Sequence, residues 1–155
     1  MRDQIDNCSF LRLGQLSEPE DNCLRLVLEE MRASEVAEEL LVAGTTLGPA
    51  YSVDHTEACR VFEITWEIYI AYSVVNESYG LENNGEAFEG SRYRLYTQSR
   101  FLEYVRTQTW GDEKHPGPAK HTAIVCEHHI VNVVSVSEPQ MRLLKSGRVH
   151  AVSDS

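Results

Sequence analysis

A chain of 155 residues, 42% hydrophobic and 25% charged, has the length of one domain and the composition of an ordinary globular protein rather than a disordered one. Its formal net charge of −10 repels nucleic-acid phosphates and anionic membrane surfaces, and no basic stripe with interleaved aromatics offsets it. No apolar run approaches the ~18–20 residues that span a bilayer. MRDQIDNCSF carries acids and no apolar signal core, so a cytoplasmic location is the expectation.

Ser9 to Leu16 alternates around Phe10 and reads as a strand. Ser17-Glu18-Pro19-Glu20-Asp21-Asn22 is a turn-rich break, after which Cys23 to Leu28 returns antiparallel. Residues 34–43 read two ways. Ser34 can cap a short helix with Glu35 in its first turn, or Glu39 to Ala43 is a short strand ended by Gly44. The helix is preferred for the first half. Residues 44–49 are a loop.

Arg60 to Val75 carries the strongest pattern in the chain. Phe62, Ile64, Trp66, Ile68, Ile70, Tyr72 and Val74 alternate with Glu63, Thr65, Glu67, Tyr69 and Ser73. Period two predicts one long strand with an apolar face and a polar face. Glu63 and Glu67 share the polar face about 13 Å apart, too far for a glycosidase pair. They are expected on a solvated face, or paired across strands with Arg92 or Arg94.

Residues 80–91 are a polar Gly/Asn-rich loop and Tyr93 to Tyr96 a short strand. Ser99 to Thr107 is the clearest helix, with Phe101, Leu102 and Val105 on one face and Thr97 or Ser99 as cap. Residues 110–120 form a loop. Thr122 to Cys126 and Ile130 to Val136 are strands joined by Glu127-His128-His129. The expected fold is α+β and mainly β: an antiparallel sheet, as a sandwich or a curled sheet, with one or two short helices. One globular domain over residues 1–145 would be followed by a frayed tail over residues 146–155.

Chemistry-bearing patterns are sparse. Cys8, Cys23, Cys59 and Cys126 are dispersed and read as reduced structural thiols. There is no GxSxG, Walker loop or GxGxxG, so no catalytic residue and no cofactor is predicted. Four histidines fall between positions 115 and 129. His121 and His129, with Cys126 or Glu127, offer a mixed donor set that zinc accepts. That set is the alternative reading, a metal-binding domain or metal-dependent enzyme. Asn76, Glu77 and Tyr79 stand where a strand runs into a loop, and Tyr69 interrupts a polar face; these four are the candidate partner-binding residues.

Charge is uneven. Residues 1–57 hold 12 acids and 4 bases, whereas residues 58–155 hold 12 acids and 10 bases. An acidic surface attracts a basic protein partner. The preferred expectation is therefore a non-enzymatic acidic module that binds a protein, with self-association through a free sheet edge as a further possibility. Acidic, β-rich composition is similar to that of bacterial immunity and antitoxin proteins that cap basic toxins.

Overall fold

The computed structural model describes residues 1–80, 85–110, 114–115 and 117–147. Among these described residues, ten strands form two antiparallel five-stranded sheets. Strands β1 (Phe10–Ser17), β2 (Leu24–Val42), β4 (Val61–Trp66) and β10 (Gln140–Lys145) run side by side in the first sheet. β3 (Thr45–Asp54) pairs only with β2. The second sheet has the order β5 (Tyr69–Asn76), β9 (His129–Ser135), β8 (Lys120–Val125), β7 (Tyr93–Gln98) and β6 (Ala87–Glu89). Helix α1 (Arg2–Asp6) precedes the sheets, and α2 (Arg100–Gln108) joins β7 to β8.

The fold follows from the alternation in each strand. Leu24, Leu26 and Leu28 of β2, with Phe62, Ile64 and Trp66 of β4, are all buried on the inner face of the first sheet. Tyr93, Ile124, Val131 and Val133 meet them from the second, and Ile5 of α1 closes the same cluster. This is a sandwich with one shared apolar core.

One continuous strand over residues 60–75 does not form. The chain bends at Glu67 and Ile68, and β4 and β5 lie in different sheets. The fully buried part of the alternation ends at Trp66, and beyond it Tyr69 and Tyr72 pack against the core only in part. Ile68 sits on the corner, 57% exposed, and Val74 is exposed as well. After Trp66 the chain turns and lays its second half on the opposite sheet, where β5 pairs with β9. A bulge between Tyr69 and Ala71 resets the register after the corner.

Glu63 is also not on a solvated face. Arg25 and Arg142, from the strands flanking β4, close over its carboxylate and leave the side chain 4% exposed. Burial raises its pKa, but the hydrogen bonds from Arg142 and Arg25 outweigh that and hold it below the ordinary carboxylate value. Its partners are thus not Arg92 or Arg94. Glu67 accepts a hydrogen bond from Gln140.

Four elements were not expected from the sequence: α1, β3 (a loop was expected over residues 44–49), β6 and β10. Asp6 at the end of α1 accepts from the backbone N–H groups of Ser91 and Tyr93, tying the helix to the turn before β7. At Gly90 in that turn φ is +93°, and a Cβ would lie 2.1 Å from the Tyr93 carbonyl oxygen. The expected tail falls outside the described residues from 148 onward. All four cysteines are free thiols.

Candidate interaction surface

The helix preferred for the first half of residues 34–43 does not form, and the alternative, a strand from Glu39 ended by Gly44, does. This segment is the far half of β2, which runs for 19 residues and carries β3 back along it. A two-turn helix here would have no apolar surface to pack on. The hairpin instead pairs the segment with β-prone Thr45, Thr46, Tyr51 and Val53. Ala43 and Gly44 both have positive φ, at +49° and +81°, between the paired residues Val42 and Thr45. That is a two-residue turn of the primed type, whose twist matches the strands it joins.

The near half of β2 is flanked by β1 and β4, but the register with β1 ends at Met31 and that with β4 at Glu29. Beyond those points β2 and β3 project as a two-stranded ribbon. Every residue from Glu35 to Leu47 is exposed. Val36 (70%), Leu41 (63%) and Leu47 (64%) are open to solvent, with Leu40, Val42 and Tyr51 beside them. Exposed apolar groups gathered on one element mark an interaction site more often than single exposed ones do.

Charge on the ribbon has one sign. Residues 34–53 contain Glu35, Glu38 and Glu39 and no lysine or arginine. None of the three carboxylates takes part in an ion pair among the described residues. At the root, by contrast, Glu30 is paired with Arg60 and Arg32. Arg60 grips Glu30 with two nitrogens, at 2.8 and 2.9 Å, and its backbone N–H also donates to Glu30. Burial raises the Glu30 pKa, but the Arg60 hydrogen bonds and charge bring it below the ordinary value. A cleft of about 750 Å3 opens at this root, with Arg32, Ser34, Glu35, Ser52, Asp54 and Arg60 among its lining residues.

The residues singled out from the sequence lie elsewhere. Tyr69 and Tyr72 both donate their hydroxyls to Glu18 Oε1 at 2.9 Å, with their rings edge to face at 5.1 Å. That hydrogen bond, then burial, raises both phenol pKa values. Asn76 accepts from the Ser78 backbone N–H and caps the single 3-10 turn Glu77–Tyr79. Tyr79 is 79% exposed. Tyr69 opens β5 and Asn76 ends it, about 23 Å apart at strand rise, so the four residues do not converge.

The donor set His121, Cys126, Glu127 and His129 does not converge either. His121 lies opposite Val134 near the start of β8. The other three lie around the β8–β9 turn, roughly 17 Å further along at strand rise, where the Cys126 N–H donates to the His129 carbonyl. Glu127 pairs with Arg92 at 3.3 Å. Burial pushes the Cys126 thiol up to about 12. Among the described residues no group of three or more His, Cys, Asp or Glu side chains is placed to hold a metal.

His121 has a different set of neighbours. Its Nδ1 is 2.7 Å from Ser99 Oγ and its Nε2 is 3.1 Å from Asn132 Oδ1. Tyr96 stacks on the ring at 4.1 Å and Phe101 meets it edge-on. The network assigns the tautomer: Nε2–H donates to Asn132, and Nδ1 accepts from the Ser99 hydroxyl. Ser99 in turn accepts from the Leu102 N–H and caps α2. Serine, histidine and amide stand in the order of a nucleophile, a base and its orienter. Yet Ser99 is 6% and His121 1% exposed, so a substrate carbonyl has no approach to the hydroxyl. The network fastens α2 to the second sheet. Burial lowers the His121 pKa, although Asn132 opposes the shift.

Sequence reasoning found the Ser99 cap and the apolar face of α2. It missed the ribbon, whose signal was present: an Ala-Gly pair between two β-prone runs, in a segment with no base. Comparison of the chain with protein-family models, with curated proteins and with solved structures finds no match in any of the three.

Proposed function

We propose that this chain is a non-enzymatic protein-binding module, that its contact element is the ribbon formed by residues 34–53, and that the partner presents basic residues. One observation carries the reading: exposed apolar side chains and three carboxylates that form no ion pair among the described residues lie together on an element that adds little to the core. An isolated two-stranded hairpin is marginally stable in water and gains by covering its apolar groups. Each such side chain fully removed from water contributes about 1.5–3 kcal/mol. The carboxylates then choose the sign of the partner and speed the encounter. A similarity in composition to immunity and antitoxin proteins points the same way, with a basic protein as the one being capped.

The test is a titration of the whole chain with a synthetic peptide of alternating lysine and valine, followed by backbone amide NMR. Shifts should concentrate in residues 35–47, weaken as salt is raised, and vanish in a Glu35→Lys/Glu38→Lys/Glu39→Lys variant. A glutamate–valine peptide should leave the spectrum unchanged. Equal response to both peptides, or shifts confined to the sandwich, would overturn the reading.

A further inference from the structure

The two free edges of the ribbon are not alike. The loop from β3 to β4 hangs on one side of β2, because the Glu30 N–H donates to the Arg60 carbonyl and the Glu30 carbonyl meets His55 Nδ1 at 2.9 Å. β3 and β4 therefore occupy the same flank of β2. The opposite flank belongs to β1 as far as Met31. Past that residue, among the described residues, no strand pairs with it.

The outer edge of β3 is guarded. Gly48 has φ of +108°, which breaks the pleat, and Pro49 has no N–H to donate. The register across it slips again between Glu39 and Leu41. The flank of β2 has no such guard. Ala37-Glu38-Glu39-Leu40-Leu41-Val42 contains neither proline nor glycine, and all six residues are exposed. Lysine, a common edge blocker, is absent too.

Resting on the reading above, we infer that the partner binds by strand addition: an extended, basic segment lies along residues 37–42 of β2, on the flank that β1 vacates. Backbone hydrogen bonds supply the attachment, and alternate side chains supply selectivity. Glu38 and Glu39 are adjacent, so they project to opposite faces of the ribbon. An added strand with basic side chains on both faces meets a carboxylate on each. A second copy of this chain fits poorly. Pairing two such edges would bring two Glu38-Glu39 pairs side by side with no compensating base, and like charges opposite each other in a sheet are destabilising.

The competing edge is the outer side of β5, which also lacks proline, glycine and charge and exposes Val74 and Val75. It gives no preference for a basic segment. The experiment separates these possibilities with the lysine–valine peptide and two N-methylated versions of it, methylated at alternate residues in opposite registers. One edge of an added strand faces the ribbon and the other faces water. One methylation register should therefore abolish binding while the other leaves it intact. In the complex, alternate amides within residues 37–42 should exchange with deuterium about tenfold more slowly or better.

Equal binding by both methylated peptides would overturn strand addition. So would protection on β5 instead of β2, or ultracentrifugation showing the free chain dimerising through the same amides. The two readings fail differently. If both methylated peptides still shift residues 35–47, the ribbon stands as a basic-partner contact and only the strand geometry falls. If no peptide perturbs the ribbon, both fall.

Discussion

β2 is one strand with two halves in opposite environments. In its near half Leu24, Leu26 and Leu28 have no exposed surface, while in its far half Val36, Leu40, Leu41 and Val42 are 46–70% exposed. The residue types are the same, and backbone pairing continues through both halves. What differs is the second layer. The near half faces the other sheet of the sandwich, whereas the far half has run past the end of it. An apolar side chain stabilises a fold only where something stands opposite to exclude water.

Truncating one leucine in each half gives the largest contrast. Leu26→Ala should destabilise the protein by about 2–5 kcal/mol, read as a fall in the urea midpoint. Leu41→Ala should change it by less than about 0.5 kcal/mol. Equal losses would mean that the ribbon is packed, and the contrast would be gone.

Charge sharpens the comparison next. Glu63→Gln removes the carboxylate that holds Arg25 and Arg142, and should cost about 1–3 kcal/mol in a denaturant titration. Glu38→Gln, on the ribbon, should be neutral within about 0.5 kcal/mol. Because the folded Glu63 pKa lies below its unfolded value, its contribution is present above the ordinary carboxylate range and is lost as pH falls through the folded value.

His121 tests the second sheet at milder pH. Its folded pKa is lowered by burial, so the unfolded chain takes up the proton first. Stability should fall as pH drops through the unfolded value of about 6.5, and go on falling until the folded value is reached. His121→Gln should flatten this part of the melting-temperature profile. A slope unchanged by His121→Gln would disprove the buried neutral network.

The smallest effect lies at the ribbon tip. Ala43 holds φ of +49°, a region where asparagine is better tolerated. Ala43→Asn should stabilise the turn by up to about 1 kcal/mol, seen as slower amide exchange in residues 40–47 with little change in the global melt. A shift of the global melting temperature as large as that of Leu26→Ala would show that ribbon and sandwich unfold as one unit.

Much of the fold was legible from local pattern. Period two located Phe62, Ile64 and Trp66 in the core, and helical spacing with a serine cap placed α2 within a residue of its ends. Ile68 was misread because periodicity carries no information about where a strand must leave its sheet. Glu63 was misread because the arginines that bury it come from residues 25 and 142, far away in sequence. His121 drew notice as a titratable group, but its partners Ser99 and Asn132 are set by register across the second sheet.

Alternation and charge, read along the chain, were enough to dictate a mainly β molecule with an acidic amino-terminal part. Whether a given apolar stripe became core or surface was decided only when two sheets packed and one strand outran the other, because burial belongs to pairs of surfaces and a sequence describes one at a time.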